Sequence, residues 1–170
     1  TNLEYAPLAE LSGWSMEIAP EVLNCAAPDT GNMETMHLFA TEEQRKQWLE
    51  PLLDGEIRSA FSMTEPAVAS SDARNIETTM LRDGDDYIIN GGKMWTTNGA
   101  QADWICLLAN TGDGPIHRTK TMICVPMKTK GVQVARKLDK MGMHSSDTAQ
   151  VYFDDVRVPR RNRIGEEGKG

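Results

Sequence analysis

This 170-residue chain has few cysteines and histidines and no long apolar run, the features that mark disulfide-rich, metal-binding and membrane proteins. It has three cysteines, Cys25, Cys106 and Cys124, which are widely spaced and include no CxxC pair. The three histidines are equally scattered. These patterns predict neither a disulfide framework nor a metal site, and they make a reducing compartment the default expectation. No apolar run approaches the length that spans a membrane.

An excess of basic residues is also absent. The formal net charge is −7, which argues against a nucleic-acid surface because few cations are available to release phosphate counterions. The arginines at 157, 160, 161 and 163 form only a short cluster, which we interpret as solvated surface. Hydrophobic residues make up 39% and charged residues 25%, the usual composition of a globular protein with one sizeable core.

The first 55 residues are predicted to be helical, because their apolar residues recur at helical spacing and do not alternate. Pro20 and Pro28 divide this region into short pieces. The clearest helix begins at Thr41, which forms a capping box with Gln44. The residues of this helix predicted to face inward are Trp48, Leu49, Leu52 and Leu53. Nearer the start of the chain, Leu3, Leu8 and Leu11 are predicted to share one face of a first helix.

From Arg58 onward the hydrophobic period changes to two, which is typical of β-strands. The run Trp104 to Ala109 is continuously apolar, as expected of a strand covered on both faces. The other predicted strands are Ile57 to Thr64, Asn75 to Arg82, Tyr87 to Asn90, a pair formed by Thr121 to Val125 and Val132 to Arg136, and Gln150 to Val158. Six to eight short strands with turns between them predict a closed or nearly closed antiparallel sheet.

The predicted fold class is therefore α+β, with an N-terminal helical segment followed by an antiparallel, β-barrel-like domain. The stretch FSMTEPAVASSD, from Phe61 to Asp72, begins as a strand and stops at Glu65-Pro66. Thr64, Ser70 and Ser71 offer hydroxyls there, and the small residues between them allow close backbone approach to an anion or a ring carbonyl. An ordinary strand-to-loop exit with a capped turn explains the same residues.

A second stretch, MWTTNG, follows a hairpin signal at Ile88 to Lys93. Trp95 supplies a flat π face, and Thr96 and Thr97 place hydroxyls directly after it. A planar heterocycle could stack on the indole and accept hydrogen bonds from the hydroxyls. Alternatively, Trp95 is part of the core and the threonines are ordinary strand formers.

Three runs together resemble the acyl-CoA dehydrogenase family: FSMTEP from Phe61, INGGKMWTTNG from Ile89, and MGMHSSDTAQVYFDDVRVP ending at Pro159. They occur in the family's order and spacing. The loop AVASSD departs from the family's usual G-A-G-S-D. The runs CAAPDTGNME and WLEPLLDGEIRS resemble a subgroup that in animals is fused to a phosphotransferase-like domain.

The resemblance implies a flavin site with FAD as cofactor. Phe61, Met63 and Thr64 would contact the isoalloxazine ring, the last two through backbone amide and hydroxyl. Trp95, Thr96 and Thr97 would flank the ring, with Thr97 bonding the nitrogen that receives hydride. Ser70 or Ser71 would take the family serine's place, Ser71 where flavin and acyl-CoA thioester meet.

The domains implied are residues 1–57, the end of an N-terminal helical domain, and residues 58–170, a middle domain that binds flavin and acyl-CoA. The activity implied is α,β-dehydrogenation of fatty acyl-CoA thioesters. The catalytic base of the family is a glutamate in a C-terminal helical domain that these residues do not include, so no catalytic residue is assigned here and the chain alone is expected to be inactive.

The resemblance also implies electron-transfer flavoprotein as the electron acceptor and a homo-oligomer for the full-length protein. The location expected is the cytoplasm for a bacterial protein, and mitochondria or peroxisomes for a eukaryotic one. Rival hypotheses are an acyl-CoA oxidase or flavin monooxygenase on the same scaffold, and a non-catalytic β-barrel that binds a partner or bare CoA. A hydrolase built on His144, Ser145 and Asp147 is disfavoured, because four residues of one turn rarely give the convergent geometry of a triad.

Overall fold

The computed structural model describes residues 1–16 and 18–170. As predicted, the helices come first and the strands follow. The helices are α1 (Asn2–Ser12), α2 (Ala19–Val22), α3 (Asp29–Phe39), α4 (Glu42–Gln44) and α5 (Glu50–Leu53), with a π-helical segment at Arg45–Leu49 that joins α4 to α5. After residue 55 only single turns of 3-10 helix occur in the described chain. None of the described helices is long and apolar enough to cross a bilayer.

Eight strands form one sheet in the order β6-β7-β3-β2-β4-β5-β8, with β1 added beside β4. Most neighbours are antiparallel, while β1 and β2 each meet β4 in parallel. The α+β class is therefore confirmed. The strands are β1 (Ser59–Ser62), β2 (Thr79–Asp83), β3 (Asp86–Thr97), β4 (Trp104–Asn110), β5 (Lys120–Pro126), β6 (Val132–Lys137), β7 (Thr148–Pro159) and β8 (Arg163–Ile164).

Two predicted pairings are wrong. The segment from Ile88 to Lys93 is not a hairpin, because β3 runs through it as one strand beside β7 with a register shift between Ile89 and Gly91. The strands β5 and β6 do not pair with each other either, since β5 lies between β4 and β8 while β6 pairs with β7. Local alternation predicts a strand, but its partner depends on contacts that are distant in sequence.

Strand β4 is buried on both faces, as its apolar run predicts. Ile105 and Leu107 pack into the main core of the sheet. Trp104 and Cys106 face the helices and pack with residues of α3 and the helix that begins at Thr41. The rings of Trp48 and Trp104 lie 5.6 Å apart between their centroids, in a tilted arrangement. The helices are thus held against the strand that forms the middle of the molecule.

The helix that begins at Thr41 has the predicted capping box, in which Thr41 and Gln44 each accept a hydrogen bond from the other's backbone amide. Trp48, Leu49 and Leu52 are buried as expected. Leu53 is 54% exposed, so the prediction that it faces inward is wrong; it follows the fully buried Leu52 directly and lies on the solvent side of α5. In α1, Leu3, Leu8 and Leu11 are exposed and do not form a buried face.

Gly131, in the turn between β5 and β6, must remain glycine. Its φ is +93°, and a Cβ at this position would collide with the carbonyl oxygen of Asp154. We expect Gly131→Ala to lower the free energy of unfolding by about 2 kcal/mol or more. Gly112→Ala is the control, because a Cβ there meets open space. Equal urea midpoints for the two variants would contradict this account.

Candidate functional site

The site predicted from the sequence lies where the chain leaves β1 and continues beside β3. The amide of Met94 donates to the Thr64 carbonyl at 2.8 Å, and the Thr64 hydroxyl donates to the Met94 carbonyl at 3.2 Å. The Ser62 and Thr96 hydroxyls lie 2.9 Å apart. Residues 61–64 and 94–97 therefore run antiparallel, which places Met63 opposite Trp95 and Phe61 opposite Thr97. We call these two segments the seam.

Side chains of the seam divide between two faces. Phe61 and Trp95 are exposed, at 38% and 58%, and Met63 and Thr97 are half-buried, whereas Ser62 and Thr96 are buried. This division follows the alternation of side chains along extended backbone. The structure thus brings Phe61, Met63, Trp95 and Thr97 to an accessible face. The Thr96 hydroxyl is turned inward to Ser62, so only the backbone of Thr96 is left for a ligand.

The direction of the Trp95 indole depends on an irregularity in β3. The register between β3 and β7 shifts between Lys93 and Thr96, and Trp95 has a φ of +57°. A left-handed conformation is uncommon for a bulky residue, and bulges of this kind re-aim a side chain next to functional sites. The indole is therefore exposed at the seam, although the residues on both sides of it belong to a strand.

Two clefts adjoin the seam. One, of about 500 Å³, is lined by Met94, Trp95 and the segment from Arg136 to Lys140. The other, of about 590 Å³, lies between the N-terminal helices and the two turns that flank β3 and β7. Its lining residues are Met16, Pro20, Cys25, Ala26, Ala27, Thr97, Asn98, Gln101, Met143, Ser145 and Ser146. Trp95 and Thr97 thus each open onto a concave surface that a ligand can occupy.

Asp147 stabilises the turn that follows Thr97. Its carboxylate accepts a hydrogen bond of 2.7 Å from the Ala100 amide, and its carbonyl accepts from the Asn98 amide. Asn98 has a φ of +63° and donates from its side chain to the Ser59 carbonyl. Asp147 is buried here while His144 is exposed, so the side chains of this segment do not converge as a triad would require.

The loop after the seam gives its two serines different environments. Ser70 is buried, and its hydroxyl accepts from the Glu65 amide and donates to the Glu65 carbonyl. Ser71 is exposed, and its hydroxyl has no hydrogen-bond partner among the described residues. Asp72 caps the following turn, and the hydrogen bond from the Arg74 guanidinium lowers the pKa of its carboxyl to about 2. Ser71 is thus the serine that can meet a ligand.

Sequence reasoning missed Lys93, which is fully buried in β3 beside the seam. Its ammonium donates to the Glu65 carboxylate and to the Met63 carbonyl, both at 2.8 Å. Glu65 also accepts from the amides of Glu77 and Thr78. Burial raises the pKa of Glu65, but these hydrogen bonds together outweigh it and hold the pKa below its ordinary value. The only signal in the sequence was a lysine at one of the alternate strand positions that face the core, and the acid that it meets is seen only in the fold.

The free donors of the seam suit a planar heterocycle. The Thr64 amide and the Thr97 hydroxyl have no hydrogen-bond partner among the described residues, and the Trp95 indole beside them is exposed. A flat ring with carbonyl and nitrogen acceptors, such as an isoalloxazine, can use all three features. The residues that the structure describes contain no group of His, Cys, Asp or Glu suited to a metal ion. Fold and site together define a sheet domain with an exposed indole and free hydrogen-bond donors on one accessible face.

Comparison with known proteins identifies the family. Residues 60–156 match the model of the acyl-CoA dehydrogenase middle domain. The chain is 58% identical over 174 residues to a Mycobacterium tuberculosis protein named "Probable acyl-CoA dehydrogenase FadE2", covering 100% of this chain and 43% of the relative. It is 47% identical over 178 residues to chicken "Acyl-CoA dehydrogenase family member 11", again over the whole chain and over 23% of the relative. The chain therefore belongs to the acyl-CoA dehydrogenase family and spans less than half the length of these curated relatives.

Solved structures agree with this assignment. A Mycobacterium abscessus protein assigned to the acyl-CoA dehydrogenases superposes with a TM-score of 0.94 and 46% identity, over 100% of this chain and 43% of the other. Butyryl-CoA dehydrogenase from Megasphaera elsdenii superposes with a TM-score of 0.78 and 37% identity, over 81% of this chain and 36% of the other. The fold of the described residues is thus the fold of this family.

The two serines of the loop offer a direct test of this geometry. Ser70→Ala removes two hydrogen bonds to the Glu65 backbone, so we expect it to lower the free energy of unfolding by about 1–2 kcal/mol. Ser71→Ala serves as the matched variant, and its unfolding free energy should change by less than about 0.5 kcal/mol. Urea unfolding of both variants gives the comparison. The reverse order of stability would show that Ser71 is the structural serine.

Proposed function

We propose that the protein carrying this chain is an FAD-dependent dehydrogenase that introduces an α,β double bond into fatty acyl-CoA thioesters. The observation that carries this proposal is the seam, where an exposed indole lies beside two hydrogen-bond donors that have no partner within residues 1–16 and 18–170. Membership of the acyl-CoA dehydrogenase family supports it. FAD, when bound, supplies the acceptor for the hydride that leaves the β carbon.

The residues of the seam would bind and orient the ring. Trp95 would stack on it and exclude water from that side, Thr97 would donate its hydroxyl hydrogen to a ring nitrogen, and Thr64 would donate its amide hydrogen to a ring carbonyl. Phe61 and Met63 would pack against the edge of the ring. Ser71, the exposed serine of the loop, is proposed for the position where the flavin meets the acyl-CoA thioester.

The base that removes the α proton is proposed to lie outside residues 1–170. Among the side chains that the structure describes, none of those lining the cleft around Thr97 is a carboxylate. Glu65 is saturated by Lys93 and two backbone amides, and Asp147 is bound to the Ala100 amide. A general base must reach the proton it abstracts. These acids are held in structural hydrogen bonds on the protein side of the seam, so they are poorly suited to that role.

The proposed electron acceptor is electron-transfer flavoprotein, as the family resemblance implies.

The proposed activity is tested by an anaerobic titration of the protein at its natural length, reconstituted with FAD, against acyl-CoA thioesters from butyryl to palmitoyl. We expect the flavin absorption band to bleach as enoyl-CoA appears. Rapid return of the band in air, with peroxide and without an added acceptor, would identify an oxidase. Protein that takes up no flavin would overturn the proposal and favour a non-catalytic binding module.

The role of Trp95 and Thr97 can be separated by two substitutions. Trp95→Ala should weaken FAD binding by about 1–3 kcal/mol through lost stacking and packing. Thr97→Val keeps the side-chain shape and removes the hydroxyl, so it should slow flavin bleaching by about tenfold or more while acyl-CoA affinity changes little. Fluorescence titration of FAD and stopped-flow bleaching give the two values.

The control for Trp95 is Trp14→Ala, because Trp14 is more exposed than Trp95 and lines neither cleft at the seam. It should leave FAD affinity unchanged. Thr97→Ser, which restores a hydroxyl, should recover much of the bleaching rate. Native FAD affinity and native bleaching rates in both Trp95→Ala and Thr97→Val would show that the seam is not the flavin site.

A further inference from the structure

The buried pair of Lys93 and Glu65 is tied to a specific peptide group of the seam. The Lys93 ammonium donates to the Met63 carbonyl at 2.8 Å. In a trans peptide the carbonyl and the next N–H point in opposite directions. Because the Met63 carbonyl points at Lys93, the Thr64 N–H of the same peptide must point away from Lys93. This is the N–H that has no acceptor among the described residues.

The other polar groups of Thr64 are fixed as well. Its carbonyl accepts from the Met94 amide and its hydroxyl donates to the Met94 carbonyl. Rotation of the Met63–Thr64 peptide would break the bond to Lys93 and strain the bonds to Met94. The peptide is therefore locked in one orientation, and the Thr64 N–H is a preorganised donor whose direction Lys93 determines.

A second cation lies close to this pair. Lys120 is 8% exposed, and its ammonium donates to the side-chain oxygens of Asn110 and Thr119, which are both neutral. It forms no ion pair with the described residues, yet it is close enough to interact electrostatically with both Lys93 and Glu65. Contacts join Lys120 to this pair, because its partner Asn110 donates from its backbone amide to the Thr78 carbonyl and the Thr78 amide donates to Glu65. Two ammonium groups and one carboxylate therefore lie in one hydrogen-bonded cluster, which carries one net positive charge.

We propose that Lys93 and Lys120 are positioning and electrostatic residues that act on the bound flavin. Lys93 aims the Thr64 amide at the polar edge of the ring, and the uncompensated charge of Lys120 favours the reduced ring. A ring that accepts a hydride gains one negative charge, and a nearby buried cation stabilises that charge. This inference rests on the proposed function, because it requires flavin at the seam.

The alternative is a purely structural role, in which the cluster only joins the loop to the sheet. Two variants of the protein at its natural length separate the possibilities. Lys93→Met with Glu65→Gln removes one positive and one negative charge, so it leaves the net charge unchanged but releases the Met63–Thr64 peptide. Lys120→Met has the opposite effect, because it removes the net charge and leaves the bond from Lys93 to Met63 in place.

For Lys120→Met we expect the equilibrium constant for flavin reduction to fall about tenfold, which for a two-electron couple is a shift of about 30 mV. For the Lys93→Met and Glu65→Gln double variant we expect FAD affinity to fall about tenfold, with a shifted visible spectrum. The melting temperature of the FAD-free protein measures the stability of each variant separately from any effect on FAD. A structural role alone would alter the melting temperature but neither the potential of Lys120→Met nor the FAD spectrum.

Arg157→Gln is the charge control, because it also removes one positive charge but from an exposed ion pair with Asp83 and Asp86, at the other end of β3. It should leave the potential unchanged. Lys120→Arg should restore the native potential. A native potential in Lys120→Met overturns the electrostatic part, and native FAD affinity and spectrum in the folded double variant overturn the positioning part.

Failure of this inference can be distinguished from failure of the proposed function. If the native protein binds FAD and oxidises acyl-CoA while every variant behaves as native, only this inference fails. If the native protein takes up no FAD, the proposed function fails and this inference fails with it. If the double variant does not fold, Lys120→Met and Lys120→Arg still decide whether the cluster acts on the ring.

Discussion

The ion pair of Lys93 and Glu65 is the interaction on which the site depends. Lys93 has no exposed surface at all, and a fully buried ammonium is costly unless it is paired and hydrogen-bonded, so β3 depends on an acid to bury it. Glu65 meets that requirement and at the same time binds the amides of Glu77 and Thr78. One carboxylate therefore joins the end of β1, the approach to β2 and the middle of β3, and the Met63–Thr64 peptide is fixed between them.

The remaining features of the site follow from this join. Once residues 61–64 lie antiparallel to residues 94–97, alternation turns Ser62 and Thr96 inward and leaves the opposite side chains accessible. The bulge at Trp95 then exposes the indole. The turn held by Asn98 and Asp147 fixes the backbone immediately after Thr97. Each of these features is a hydrogen bond or a backbone conformation, so the accessible face of the seam is preformed, and the ligand that we propose would bind it with little reorganisation.

The packing of the molecule supports this surface from behind. Strand β4 lies beside β1 and is covered on one face by the sheet core and on the other by the helices. Trp104 and Cys106 lie on the face of β4 that packs against the helices. Burial raises the pKa of the Cys106 thiol to about 12, which keeps the thiol protonated and unreactive. The helices therefore stabilise β4, and β4 in turn positions β1 and the seam.

The sequence by itself determined the change from helix to strand near residue 55, the capping box at Thr41, the two-sided burial of β4 and the residues of the two motifs, because these depend on local period and local chemistry. Only the tertiary structure decided the partners of β5 and β6, the outward position of Leu53, the inward turn of Thr96 and the separation of Ser70 from Ser71. It alone also revealed the pairing of Lys93 with Glu65, 28 residues apart. Strand register, bulges and buried ion pairs are set by groups that meet only after the chain has folded, and alternation along one strand carries no information about which groups those are.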